Sequence, residues 1–164
     1  MSEKKDSFTF SLYGKRHYNI SGKVSREVAT NYCGAILAIA GADGELAEEE
    51  LAWYLDEQVL ILDDPDDVLQ IIKEFDWQNA NLEELVKSLR YDFALDTHRT
   101  LLYQAIKMSS ADGEYHPKER EAVWKAAEIL NVEAEAVRSL EALVEMEATI
   151  EQMRYNLLGT IENK

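Results

Sequence analysis

Two short acidic turns carry the residue types most capable of chemistry in this chain. The tetrapeptide Ala-Asp-Gly-Glu occurs at residues 42–45 and again at residues 111–114, with the two Asp residues 69 positions apart (112 − 43 = 69). In each copy a second glutamate stands seven positions beyond the aspartate, at Glu50 and Glu119. Carboxylate oxygens are the ligands that hard divalent cations prefer. The repeat therefore predicts either a cation site or a turn that the fold uses twice.

The spacing resembles the second half of an EF-hand calcium loop, in which an Asp–Gly pair precedes a glutamate ligand. The first two ligand positions of such a loop would be Ile39 and Gly41 in one copy, and Met108 and Ser110 in the other. None of these residues carries a carboxylate, so neither turn should bind a cation alone. If the two turns meet on one side of a bundle, they could share an ion through Asp43, Glu45, Asp112 and Glu114.

Folding alone offers a competing interpretation of the same residues. Glycine is favoured where a helix ends in a backbone of positive φ. The segment 116–119, His-Pro-Lys-Glu, is typical of an N-cap, a proline at the first helical position and a capping glutamate. Ala47 cannot cap with its side chain, yet Glu50 stands at the matching place. This interpretation does not obviously require both an Asp and a Glu beside each Gly, so both interpretations stay open.

The charge of the chain restricts its partners. It has 32 acidic and 17 basic side chains and a formal net charge of −15. Such a field repels nucleic acid, anionic lipid and small dianions, and it attracts cations or basic protein surfaces. The N-terminus lacks the apolar core of a signal peptide, and no apolar run reaches membrane-spanning length. We expect a cytoplasmic protein with a protein partner, no nucleic acid and no membrane insertion.

Motifs for catalysis are missing from the sequence. The histidines, His17, His98 and His116, are not spaced as paired metal ligands, and there is no nucleophile elbow, Walker loop or dinucleotide fingerprint. His98 is expected at the surface in a first helical turn, and Cys33 is expected to be a buried structural thiol. We therefore expect no enzyme, no catalytic residue and no cofactor beyond a divalent metal ion of unknown identity.

Helical periodicity begins at Lys23 and places each acidic turn between two helices. Seven helices are predicted, over about 23–41, 47–62, 65–75, 81–89, 96–110, 117–130 and 132–161. The acidic tract 63–67 is interpreted mainly as a helix start. The last helix is expected to bury Val137, Leu140, Val144, Ile150, Met153 and Leu157.

Residues 1–22 follow a different pattern and form the predicted N-terminal arm. Phe8, Phe10 and Leu12 alternate with polar residues, which is the period of a strand. A turn over residues 13–16 would make this arm a small hairpin, and without it the arm would be extended. Residues 23–164 form the predicted helical domain.

Two helical hairpins with Ala-Asp-Gly-Glu turns resemble the TerB-like tellurite-resistance domains, over about residues 24–160. The resemblance implies an all-α, pseudo-twofold bundle of about seven helices and a role in the bacterial response to tellurite and related stresses. It also implies metal binding by acidic residues of the turns, which here are Asp43, Glu45, Glu50, Asp112, Glu114 and Glu119. The chain departs from the family at Ala47, where Ser or Thr is usual, and in its N-terminal arm.

The expected function is thus a stress-response domain whose acidic turns bind a divalent cation or a basic partner. The alternative is a purely structural protein-interaction module without a metal site.

Overall fold

Helices make up most of the chain that the computed structural model describes, which is residues 3–90 and 95–159. In chain order the elements are β1 (Ser7–Thr9), α1 (Leu12–Tyr18), β2 (Lys23–Ser25), α2 (Arg26–Ala40), α3 (Glu48–Ile61), α4 (Asp66–Glu74), a 3₁₀ turn (Trp77–Asn79), α5 (Leu82–Leu89), α6 (Leu95–Ser109), α7 (Pro117–Ile129) and α8 (Ala134–Leu157). The prediction of an all-α bundle is confirmed, and α2 to α8 are its seven helices. None of the described helices is long and apolar enough to cross a membrane.

The centre of the bundle is α2, because the second half of this helix is apolar on every side. Residues 33–37 are buried without interruption, as expected of a helix surrounded by others. It packs against α4, α5 and α6, and α6 in turn packs against α7 and α8. Burial raises the pKa of the Cys33 thiol to about 11, so the prediction of a buried structural thiol is confirmed.

The internal repeat extends beyond the turns to the helices that flank them. Helices α2 and α6 have the same length, and each is followed by an acidic turn. Helices α3 and α7 begin at corresponding positions, Glu48 and Pro117. Since α2 packs directly against α6, the two hairpins form a pseudo-twofold pair.

The N-terminal segment contains the predicted strand, but its partner is Lys23–Ser25, further along the chain than expected. The prediction that the first helix of the bundle begins at Lys23 is therefore wrong, and this helix begins at Arg26. Strand β1 pairs antiparallel with β2, and Phe8 stands opposite Val24. Phe8 is buried in the hydrophobic core. The arm is therefore packed on the helical region through an apolar anchor.

The turn predicted over residues 13–16 is wrong, since these residues lie in helix α1. The Ser11 hydroxyl caps this helix by accepting a hydrogen bond from the Gly14 amide at 3.1 Å. Gly14 lies so close to α3 that a Cβ atom would come within 2.6 Å of the Ile61 carbonyl oxygen. Contact with α3, which is distant in the sequence, thus stabilises helix α1, although the spacing of its apolar residues is that of a strand.

The acidic tract before α4 has partners that explain it. Asp64 pairs with Lys5, and Asp67 pairs with Arg26. Helix α4 begins at Asp66, directly after Pro65. The interpretation of the tract as a helix start is confirmed, and its ion pairs also tie the arm to the bundle.

The prediction for α8 is right in its first half and wrong in its second. Val137 and Val144 are buried as expected, but Ile150, Met153 and Leu157 are exposed. Every described residue from 148 to 159 is exposed. Helix α8 ends at Leu157, and the predicted end at residue 161 lies outside the described residues.

Replacing Gly34 by Ala should destabilise the bundle, because a Cβ atom at this position would overlap the Phe75 ring. We expect the free energy of unfolding in urea to fall by about 1–3 kcal/mol, as overpacking of a core does. The matched control is Gly159→Ala, whose Cβ meets nothing within 4 Å. Equal stability of the two variants would contradict this packing.

Candidate functional site

The two acidic turns have the same backbone structure. Gly44 and Gly113 adopt φ angles of +99° and +91°, a region that glycine enters without strain. The Gly44 amide donates to the Gly41 carbonyl at 2.9 Å, and the Gly113 amide donates to the Ser110 carbonyl at 3.0 Å. Each Gly therefore ends its turn in the way that the structural interpretation predicts.

The aspartate of each turn fixes the backbone of its own turn. The Asp43 carboxylate accepts a hydrogen bond from the Glu45 amide at 3.0 Å. The Asp112 carboxylate accepts one from the Glu114 amide at 2.9 Å. Both aspartates are exposed. These are Asx turns, so each Asp has a structural role that the sequence pattern does not reveal.

Glu50 and Glu119 cap the helices that follow the turns. The Glu50 carboxylate accepts a hydrogen bond from the Ala47 amide at 2.9 Å, and Glu119 accepts one from the His116 amide at 2.8 Å. In the second copy the His116 ring adds a cap of its own by accepting from the Lys118 amide. The predicted roles of His116 and Glu119 in capping α7 are confirmed.

These two glutamates also meet each other in the interior. Their side chains are only 3% and 1% exposed, and the carboxyl groups are close enough for Glu119, when protonated, to donate a hydrogen bond to Glu50. In the described residues no Lys, Arg or His forms an ion pair with either carboxylate. The Oε2 atom of Glu119 is buried and has no hydrogen-bond partner.

Burial is the main cause that raises the pKa of both carboxyl groups, while the hydrogen bonds from the N-cap amides act against it. The negative charge of Glu50 raises the pKa of Glu119 further. The charges of Asp112 and Asp43 also raise the pKa of Glu50. Asp112 belongs to the other turn, so the two acidic turns lie on the same side of the bundle.

Two buried carboxyl groups in contact can be stabilised in two ways. One carboxyl group can keep a proton, or a cation can neutralise both. In the described part of the chain, no three acidic, His or Cys side chains lie close enough together to hold a metal ion as they stand. Glu45 and Glu114 are exposed and make no side-chain hydrogen bond there. The structure thus brings Glu50 and Glu119 together in the interior. Asp43 and Asp112 are exposed and near enough to raise the pKa of Glu50, and Glu45 and Glu114 are exposed too.

The model of the family described as "Tellurite resistance protein TerB" matches residues 54–142, which is more than half of the chain. The chain belongs to the TerB family. Among solved structures, a tellurite resistance protein from Nostoc punctiforme is similar over 91% of each chain, with 29% sequence identity and a TM-score of 0.69. No curated protein matches the chain closely enough to count as a relative.

The TerB match confirms the resemblance that the repeated turns indicate. It starts at Tyr54, after the first acidic turn, and includes the second turn with Glu119. The similar solved structure covers nearly the whole fold, including most of the region before Tyr54.

The prediction that His98 lies at the surface is wrong. Its side chain is 6% exposed instead of lying at the surface, and neither ring nitrogen has a hydrogen-bond partner. It borders a shallow cavity together with Arg99 and Glu133. Its position next to charged residues in a first helical turn favours exposure, so no signal in the sequence indicates its burial.

The buried glutamate pair should make stability depend on pH. Because the pKa of Glu119 is raised above its ordinary value of 4.5, the folded chain binds more protons than the unfolded chain above that pH. The free energy of unfolding should therefore fall as pH rises from about 4.5 through the raised pKa. In Glu119→Gln the free energy of unfolding should fall less over this pH range. At the upper end of the range the variant should be about 1–2 kcal/mol more stable relative to the wild type than it is at the lower end.

The measurement is urea unfolding at a series of pH values with a chelator present. Glu114→Gln is the matched control, because it removes the same charge from the same turn without touching the pair. Parallel pH curves for the two variants would show that the pKa of Glu119 is not raised in the folded chain.

Proposed function

We propose that the two acidic turns together bind one divalent cation, and that Glu50 and Glu119 are its central ligands. The observation that carries this proposal is the Oε2 atom of Glu119, which is buried without a hydrogen-bond partner, in a carboxyl group whose pKa the buried Glu50 carboxylate raises. A buried polar atom without a partner costs free energy. A cation between the two carboxylates would satisfy this atom and remove the repulsion between the charges.

The residues present fit a hard cation with oxygen ligands. Mg²⁺ commonly binds through one or two carboxylates and keeps several water molecules, whereas Ca²⁺ takes more protein oxygens. Glu50 and Glu119 supply the two central carboxylates. Asp43 and Asp112 are exposed beside them, and each gives up only one local hydrogen bond if it turns toward an ion, at about 0.5–1.5 kcal/mol.

The capping bonds give the central carboxylates a fixed position before any ion binds. One oxygen of each is held by an N-cap amide, so the other oxygen is left to contact an ion. Glu45 and Glu114 contribute negative charge at the rim, which raises the local concentration of cations. These residues would thus bind the cation, fix the position of its ligands and raise its local concentration. Binding requires no chemical reaction.

The physiological role that we propose is that of a cytoplasmic stress-response protein, without enzymatic activity. It rests on the TerB family and on the similar structure, which is that of a tellurite resistance protein. Tellurite itself is an anion, which the −15 charge of the chain disfavours as a ligand. A cation, or a basic protein surface that competes for the same carboxylates, fits the turns better.

The alternative is a structural protein-interaction module whose turns only connect helices. One observation favours it: Asp43, Asp112, Glu50 and Glu119 all make a local hydrogen bond that stabilises a turn or a helix start. These hydrogen bonds explain why an Asp or a Glu stands at each of these positions within its own turn or helix start. They do not account for two uncompensated carboxyl groups buried against each other.

Thermal unfolding should separate the two functions. After chelation, we add Mg²⁺, Ca²⁺, Mn²⁺ or Zn²⁺ separately at fixed ionic strength and record the midpoint. A ligand at about a hundred times its dissociation constant stabilises the folded state by about 2.7 kcal/mol. We expect one ion to raise the midpoint by several degrees, and Asp43→Asn/Asp112→Asn to weaken this response.

The double variant Glu50→Gln/Glu119→Gln should abolish the response, because it removes both central charges while its amide oxygens can still accept the capping bonds. Glu135→Gln/Glu145→Gln is the matched control, since it removes two exposed carboxylates from α8. Small and equal rises with every ion, unchanged in the central variant, would indicate screening alone and favour the structural module.

A further inference from the structure

The second half of α8 is largely exposed and contacts the bundle along one side only. The helix packs against α6 and α7 through its first half, where Val137 and Val144 are buried. From residue 148 onward every described residue is exposed, although the helix continues to Leu157. A helical segment of about ten residues is only marginally stable in water without packing. This end of α8 has an ion pair from Glu151 to Lys107 but no buried side chain among its described residues.

The exposed half nevertheless carries a continuous row of large apolar side chains. We call this row the apolar seam: Leu143, Met146, Ile150, Met153 and Leu157, each between 44% and 76% exposed. Its members follow one another at intervals of three, four, three and four residues. This is the a/d spacing of a coiled coil, with Leu143, Ile150 and Leu157 at a and the two methionines at d.

The seam cannot belong to the core of its own bundle. At 100° per residue, Ile150 lies about 120° around the helix from Val144, the residue that packs on the bundle, and Met153 lies about 180° from it. Helix α8 is thus apolar on two opposite sides, and only one of them is covered. A row of exposed apolar side chains on this scale is typical of an interaction surface.

The charges beside the seam are few, in a chain that is otherwise strongly acidic. The g positions are Ala142, Thr149 and Asn156, all uncharged. The e positions in the exposed half are Glu147 and Arg154, one heptad apart. A basic partner helix would therefore meet no row of acidic side chains along this face.

The two charged e positions differ in their own partners, because Glu147 shares one lysine with Glu151 and Arg154 has no ion pair among the described residues. Lys107 contacts both Glu147 and Glu151, at 3.3 and 3.2 Å, so one negative charge of this group is left over. Arg154 makes no ion pair with any described residue. A partly neutralised acid, Glu147, and a base without an ion pair, Arg154, thus stand on the same edge of the seam.

From this arrangement we propose that α8 pairs with α8 of a second copy of this chain, in an antiparallel two-helix coiled coil along the apolar seam. In an antiparallel pair the e positions of the two helices face each other. Glu147 of each copy then lies near Arg154 of the other, and the twofold axis forms this contact twice. A parallel pair would instead place Arg154 near Thr149 and bring two bundles of charge −15 to the same end.

The surface available suits a weak and reversible dimer. The two seams together would bury on the order of 1,000 Å², which is the lower limit for a specific interface. The seam is little more than two heptads long, so we expect dissociation in the micromolar range. A membrane surface is a poorer occupant, because helices that lie on membranes carry Lys and Arg on their polar face, whereas α8 has five glutamates between residues 135 and 151 and two arginines.

Sedimentation velocity of the full chain over a series of concentrations tests the proposal. The wild type should change from monomer to dimer as its concentration rises. Ile150→Glu should weaken the dimer at least tenfold, because it places a charge in the middle of the seam. Tyr155→Glu is the matched control: it introduces the same charge at an exposed aromatic residue of the same helix, off the seam, and should leave the dimer unchanged.

Orientation is tested by Arg154→Glu, which would place two like charges beside each other twice in the antiparallel dimer. We expect it to weaken association several-fold, more strongly at low salt. Circular dichroism confirms that each variant is folded. A monomer at every concentration, or equal effects of Ile150→Glu and Tyr155→Glu, would overturn the dimer and leave another protein as the occupant. A dimer that Arg154→Glu does not weaken would overturn the antiparallel arrangement.

Discussion

The burial of Glu50 against Glu119 is the constraint on which the rest of this structure depends. Each carboxylate is held by the N-cap amide three residues before it, at 2.9 and 2.8 Å. Those bonds form only if the preceding turn ends at the right residue, which the positive φ of Gly44 and Gly113 provides. The pair then meets only because α2 and α6 pack together. The turn, the cap and the packing of the helices must therefore all form before the two carboxyl groups can be buried in contact.

Structural and cation-binding interpretations of the turns do not exclude each other at this site. A carboxylate that caps a helix uses one oxygen for the amide and keeps the second oxygen for something else. In an ordinary capping box that second oxygen is solvated, whereas here Glu119 is 1% exposed. Capping thus explains why a glutamate stands at each position. It leaves open what neutralises the pair, and a shared proton and a bound cation are the two physical answers.

The features that could be predicted from the sequence are those that local interactions determine. The helices from α2 to α7, the cap at His116 and the repeated turn follow from periodicity, from Gly and from Pro. The burial of His98, the helix over residues 12–18 and the exposure of Ile150 could not be predicted. Each of these depends on which neighbour lies alongside, and a pattern of apolar spacing does not say whether a face meets a core or solvent.

Helix α8 shows why the same spacing can have two meanings. Val137 and Val144 recur at the helical period and pack on the bundle, and the apolar seam recurs at nearly the same period on the other side. The first half of α8 also positions Glu147, which accepts hydrogen bonds from Tyr103 at 2.8 Å and pairs with Lys107. The second half borders a groove lined by Gly113 of the second acidic turn. One helix thus borders the second acidic turn with one side and carries the apolar seam on the other.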